Sequence, residues 1–505
     1  MQKYPAMTSR PTTHTFLWHD YETFGLNPRR ERPAQFAAVR TDADLNEIGG
    51  PVMLYCQPAN DYLPDAESCL LTGITPQVCL ERGIPEYEFA ARIEALLAQP
   101  GTIGVGYNTI RFDDEVTRHL LWRNLIDPYA REWQNDCGRW DIQDVVRMAY
   151  ALRPEGIKWP RKPEDRKPAD GTAIDPAATR ASFKLTDLTA ANSLAHESAH
   201  DALSDVRATI ALARLIRTAQ PKLFEFCLSL HKKDRVAAEL GLPTSAQTAQ
   251  PFLHVSGMFA PERGCLAVMW PLATHPSNKN ELLAWDLAYD PSELPLLDMA
   301  SLRQRLFTKQ ADLPAGMQRL PIKSVHLNKS PMVVKKLKTL TDEMAAKWGI
   351  DIAAALVNAE NARALPDMSA IWPELFSRPK LDAPDVDEDL YGGFVGQADR
   401  RRLDQLRQLA PAELAVSRVG FDDVRLGELV FRYRARNFQD TLTPDESDRW
   451  NAHRAARLID GEDGARNVDA LLAQMDALQS DADIRGQAVL EALSDYAELA
   501  TSDLA

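Results

Sequence analysis

Asp20 and Glu22 close an apolar run in "FLWHDYETFG", Phe16–Gly25. If that run is a strand, residues two apart point the same way, so the two carboxylates share a face. Such a pair is a solvated edge, a salt-bridge partner or a ligand set for a hard divalent cation. The spacing alone decides little, because it recurs at Asp65/Glu67, Asp113/Glu115 and Asp460/Glu462. The apolar run before Asp20 sets this pair apart. It carries the acids to the end of a central strand, where open α/β sheets hold their ligands.

A second cluster, "HESAHDALSD", contains two overlapping spacings, His196/Asp201 and His200/Asp205. On a helix, Asp205 stands beside the apolar face, with Ala202, Val206 and Ala208 around it. Asp201 has Ser198 and Ser204 at the same offsets and faces water. Residues five apart differ by roughly 140° around an ideal helix. His200 and Asp205 therefore converge best if His200 lies in the loop before the helix, although a histidine there also bonds backbone as a plain helix start. In "GYNTIRFDDEV", Asn108 ends a strand, and Asp113 and Asp114 open a helix, where the helix dipole alone favours acids.

The elements that must position these groups alternate. The first ~215 residues read as strands and helices in turn, the α/β pattern. "TFLWHDYE", "AQFAAVRTD", "PVMLYCQP" and "GTIGVGYN" are strands; "EYEFAARIEALLAQ", "RFDDEVTRHLLWRNL" and "HDALSDVRATIALARLI" are helices. "PRKPEDRKPADGTAIDPAATRA" reads as a flexible surface insert. After a helical stretch from Pro221, "FLHVSGMF", "GCLAVMWPLA", "ELLAWDLA" and "IKSVHLN" form a small β-rich domain. An acidic linker, "RPKLDAPDVDEDL", leads into a helical region. The expected division is a tail at 1–13, an α/β domain at 14–217 with its insert at 159–182, a β-rich domain at 218–373, a linker at 374–386 and a helical domain at 387–505.

Composition excludes more than it identifies. The 505 residues carry a formal net charge of −14, which opposes phosphate binding unless basic residues gather locally. No stretch approaches the ~20 apolar residues of a membrane span, and the N-terminus has no secretory apolar core. Six cysteines, at 56, 69, 79, 137, 227 and 265, form no C-x-x-C pair, so a reduced cytoplasmic protein is expected.

The order D-x-E, F-D, H-x4-D resembles the DEDDh exonuclease superfamily. Nine stretches in order, "FLWHDYETFG", "RPAQFAAVRTD", "LTGITPQ", "GYNTIRFDDEVTR", "YALRPEGI", "LTDLTAAN", "AHDALSDV", "VSGMF" and "YRARNF", are similar to the bacterial exonuclease I family. The resemblance implies a ribonuclease H-like nuclease domain with a mixed sheet, an SH3-like domain and an α-helical C-terminal domain. It also implies a monomer that hydrolyses single-stranded DNA processively from the 3′ end to 5′-mononucleotides, in DNA repair and recombination at the nucleoid. The insert is longer than the family pattern, and Lys184 in "SFKL" stands where arginine is expected.

By the same resemblance, Asp20, Glu22, Asp113 and Asp205 hold two Mg²⁺ ions, with Mn²⁺ the alternative, and Glu22 also meets the terminal 3′-hydroxyl. His200 is the general base. Lys184 contacts phosphate as a point charge, without an arginine's bidentate grip. Arg118, Tyr129, Trp133 and Arg147 contact the strand, core packing being the other reading of each aromatic. Arg153 and Phe226 match positions that dock the acidic, hydrophobic-ended tail of single-stranded DNA-binding protein; a surface arginine and a core phenylalanine are the plainer readings. A ribonuclease or proofreading exonuclease of the same superfamily, and a catalytically silent DNA-binding protein, are the rivals. The domains beyond the nuclease weigh against the first, and the complete acid and histidine set against the second.

Overall fold

The structure is a computed structural model that describes residues 14–163, 179–196, 201–377 and 383–504. His200 and the middle of the 159–182 insert lie outside the described residues. The chain divides into two compact units that do not follow sequence order. The first combines Met1–Gly138, Glu197–Arg207 and Leu381–Ala505, as far as these are described; the second combines Arg139–His196 and Ala208–Lys380.

The first unit is built on β1 (Thr15–Thr23), β2 (Pro33–Thr41), β3 (Val52–Tyr55) and β4 (Thr102–Gly106), in the order β3-β2-β1-β4. β1 runs antiparallel to β2 and parallel to β4, so the sheet is mixed. β1 is buried along both faces apart from Thr15 and Asp20, as a central strand rich in aromatic and β-branched residues should be. Its pairing with β4 ends at Trp18 opposite Val105. Asp20 and Glu22 lie beyond that end.

Helices α1 (Ala66–Thr72), α2 (Pro76–Arg82), α3 (Glu86–Leu97) and α4 (Asp113–Arg123) accompany this sheet. Asp65 caps α1 through the Ser68 N–H and bonds Arg466 and Gln474. One recurrence of the D-x-E spacing thus has a purely structural explanation. The C-terminal helices share the core of this unit: Phe24, Tyr62 and Cys69 pack in one cluster with Leu471, Leu490 and Leu493.

The second unit contains a five-stranded sheet in the order Ile322–His326, Asn278–Asp286, Leu266–His275, Phe252–Val255, Met332–Val334. Its paired strands run antiparallel. The region read as β-rich also carries helices Met299–Phe307, Asp342–Lys347 and Ile352–Arg363. Around the insert, Arg161–Pro163 pairs antiparallel with Thr179–Ala181.

The stretch read as an acidic linker ends in burial. Asp387 is 2% exposed, and Asp385 bonds Arg432 at 2.7 Å. No helix among the described residues is long and apolar enough to cross a membrane.

Candidate active site

Three carboxylates meet at the mouth of β1. Asp20, Glu22 and Asp205 each offer an oxygen within 4.8 Å of the others. β1 supplies the first two from one face. The helix Ala202–Ala219 supplies Asp205 from its first turn.

Asp113 joins from the start of α4. Its Oδ1 accepts the Tyr21 N–H at 3.1 Å. Tyr21, between the two acids of β1, lies on the other face of the strand. Its ring packs against Phe36 at 4.9 Å, and its hydroxyl pairs with the Thr117 hydroxyl at 3.0 Å. The tyrosine thus fixes the strand end while its own backbone fixes Asp113.

The neighbouring acid has a different task. Asp114 is fully buried and paired with Arg131 at 2.8 Å. The sequence offered both acids at this helix start; the structure turns Asp114 to an arginine and Asp113 toward Asp20.

The electrostatics have one sign. Burial first, then the charges of Asp113, Glu22, Asp205 and Asp201, push Asp20 well above its ordinary 3.8. Glu22 is raised to about 8 by burial, Asp205 and Asp201. Such crowding is unfavourable for carboxylates alone and favourable around a cation. The donor set is all oxygen, which suits a hard divalent ion and not a thiolate-seeking one. The residues present therefore fit a divalent cation.

Asp201 departs from the sequence reading. It is half-buried, contributes charge to the cluster and accepts the Ser204 N–H at 3.2 Å. It precedes the first helical residue, so the helical wheel used to place it does not apply. His196, the other histidine of that segment, meets the Thr189 hydroxyl at 3.2 Å.

The strand-contact candidates divide between the units. In the first, Arg118 is buried and bonds Glu132 through Nε at 2.7 Å and Nη2 at 2.9 Å. Its Nη1 bonds Glu115 at 2.8 Å and the Tyr391 hydroxyl at 3.1 Å. The guanidinium stands 5.3 Å from the Tyr129 ring centroid. Trp133 is 65% exposed, so the core-packing alternative does not describe it.

In the second unit, Lys184 is exposed and precedes helix Leu185–Ala191. Arg147 bonds Asp144 at 2.6 Å and stands 6.0 Å from the Phe183 ring. Arg153 is half-buried and donates to the Thr339 carbonyl at 3.1 Å. Phe226 is half-buried, with Arg235 5.9 Å from its ring.

Family models match nearly the whole chain: "Exonuclease" over residues 17–213, "Exonuclease I SH3-like domain" over 231–378 and "Exonuclease I C-terminal domain" over 384–500. The Escherichia coli K12 exodeoxyribonuclease I is 43% identical over 488 residues, 96% of this chain and 98% of the relative. A structure of E. coli exonuclease I in complex with a dA16 oligonucleotide matches with a TM-score of 0.85 and 42% identity, over 96% of this chain and all of that one. A structure of SSB/exonuclease I with an inhibitor matches with a TM-score of 0.84 and 41% identity, over 97% of this chain and all of that one.

Proposed function

The chain belongs to the exonuclease I family, and from that premise we propose that it degrades single-stranded DNA from the 3′ end, processively, releasing 5′-mononucleotides. The observation that carries this reading is the convergence of Asp20, Glu22 and Asp205, with Asp113 beside them, at the mouth of a central strand.

Mg²⁺, as a pair of ions held by Asp20, Glu22, Asp113 and Asp205, would supply Lewis-acid stabilisation of the attacking and leaving oxygens. The protein's own groups do the rest. Glu22, at the strand tip, orients the terminal 3′-hydroxyl. His200 takes the proton from the attacking water, as the imidazole side chain suits proton transfer near neutral pH; its place one residue before Asp201 and five before Asp205 in the sequence supports this role. Lys184 neutralises a backbone phosphate. Tyr129, Trp133 and Arg147 follow the strand by stacking and charge, as single-strand binders do, and Arg118 acts through the Tyr129 ring it covers.

The domain boundaries read from the sequence, 14–217, 218–373 and 387–505, are retained as functional divisions, supported by the three stretches that match family models. Arg153 and Phe226 are the docking residues for the acidic tail of single-stranded DNA-binding protein: an arginine pairs with carboxylates, and an apolar neighbourhood takes a terminal side chain. The SSB/exonuclease I structure of a relative supports a partner of this kind. The protein works as a cytoplasmic, nucleoid-associated monomer in DNA repair.

The test is incubation of a 5′-labelled single strand with Mg²⁺, with and without chelator. Shortening from the 3′ end, abolished by chelator and by a blocked 3′ end, is the expected result. Efficient degradation of RNA or of blunt duplex would favour the ribonuclease or proofreading rival, and an intact strand would refute the activity.

A further inference from the structure

Gln35 stands on β2 opposite Glu22, and Tyr55 stands on β3 opposite Gln35. Cross-strand partners put their side chains on one face of a sheet. A carboxylate, an amide and a phenol therefore form a row that starts at the cluster of acids. Ala37, the residue of β2 opposite Asp20, is too short to reach out from that face. Gln35 is 2% exposed, and a buried amide must find partners for both its nitrogen and its oxygen. Its Nε2 donates to the Tyr55 hydroxyl at 2.8 Å. Its Oε1 accepts the backbone N–H of Ala202 at 3.4 Å. The Tyr55 ring is itself held, with the Arg82 guanidinium 4.3 Å from its centroid. All these residues belong to the first unit.

Ala202 is the first residue of the helix that carries Asp205. The first N–H groups of a helix have no partner within it. Asp201 accepts that of Ser204 through its own carboxylate, a local bond that shapes the turn without fixing where the turn lies. The bond to Gln35 differs in kind, because it comes from the sheet, on the strand next to β1. It ties the helix start to the row that contains Glu22. Asp205, three residues further on, has to bring its carboxylate within 4.8 Å of those of Asp20 and Glu22. A small ion such as Mg²⁺ demands nearly ideal octahedral oxygens at about 2.0–2.1 Å. The position of the helix start is thereby converted into metal affinity.

We infer that Gln35 is a positioning residue of the metal site: its amide holds the start of the Asp205 helix against β2 and so sets the separation of Asp205 from Asp20 and Glu22. The inference rests on the reading of these acids as ligands of a divalent cation.

The test is Mn²⁺ binding to the full chain, followed by loss of the free ion's paramagnetic resonance signal. Melting temperature in chelator and hydrolysis of a 5′-labelled single strand are measured in parallel. Gln35→Met replaces the amide by a side chain of similar length whose sulfur is only a weak acceptor. It should bind Mn²⁺ about 10–100-fold more weakly, the usual loss for a group that orients a metal ligand. Its hydrolysis should need correspondingly more metal, while its affinity for the strand in chelator stays that of wild type. Tyr55→Phe removes only the hydroxyl that holds the amide; it should weaken Mn²⁺ binding in the same direction by less, and it decides the matter if Gln35→Met does not fold. Wild-type Mn²⁺ affinity in folded Gln35→Met, whatever its melting temperature in chelator, would reduce Gln35 to a structural role and overturn the inference alone. Wild-type affinity in Tyr55→Phe beside an unfolded Gln35→Met would do the same. If wild type itself neither binds Mn²⁺ nor degrades the strand, the functional reading fails and takes the inference with it.

Discussion

Two groups of buried and half-buried acids occupy the first unit, and their neighbours give them opposite characters. At the mouth of β1, acids face acids, and Asp20 and Glu22 are pushed up. Elsewhere in the unit, Asp61, Asp385 and Asp387 face arginines. Arg436 bonds Asp61 at 2.7 Å and also Asp387. Arg432 bonds Asp385 at 2.7 Å and approaches Asp387 at 3.5 Å. Asp61 and Asp387 are driven well below the ordinary 3.8: burial opposes the shift, and the Arg436 charge leads those that overcome it. The lesson is that burial of a carboxylate does not reveal its use. A buried acid matched by arginine is part of the scaffold. Acids crowded against other acids, as Asp20 and Glu22 are, fit a cation.

The largest expected difference between the groups is in catalysis. Asp20→Ala should abolish Mg²⁺-dependent hydrolysis and leave the circular dichroism spectrum of the wild type. Retention of most of the activity would remove Asp20 from the metal site. His200→Ala should follow, with a loss of roughly 10²–10⁴ in rate and little change in metal affinity, while His196→Ala is mild. The reverse order of the two histidines would show that the wrong one had been chosen.

The arginine-paired group should respond in stability. Asp387→Ala leaves Arg436 and Arg432 short of a partner, and one-sided loss of a buried pair costs about 3–5 kcal/mol. Urea unfolding should show it; an unchanged midpoint would mean that the network contributes nothing net.

A smaller effect separates the groups by pH. Asp61 and Asp387 have folded values below their unfolded ones, so their contribution is complete above about pH 4, near the carboxylate reference value. It is lost as pH falls further, through the folded values. Acid unfolding should therefore steepen below about pH 4, and Arg436→Ala should flatten that dependence. An identical acid limb in the variant would break the assignment.

Much of this was legible in the sequence because local pattern and global fold agree. The apolar run of β1 placed Asp20 and Glu22 at a strand end, and Ala202, Val206 and Ala208 placed Asp205 on the packed side of its helix. What escaped was decided by distant partners. "DAPDVDEDL" looks like a solvated linker until Arg432 and Arg436 are brought to it. Asp114 is indistinguishable from Asp113 until Arg131 arrives. Asp201 was misplaced because it stands one residue before the helix whose periodicity was applied to it. Arg118 reads as a free cation until Glu132 and Glu115 are seen to hold it.

The acids at the mouth of β1 fit completion by a divalent cation, whereas those bound to arginine are complete already. Thermal unfolding of wild type, Asp20→Asn/Glu22→Gln and Asp387→Asn, each with chelator and with Mg²⁺ near pH 8, tests it most directly, because metal binding needs the ionised carboxylates and stabilises the folded state. Mg²⁺ should raise the melting temperature of wild type and, by a similar increment, of the otherwise less stable Asp387→Asn, and leave Asp20→Asn/Glu22→Gln unmoved. An equal Mg²⁺ increment in all three proteins, or none in wild type, would contradict it.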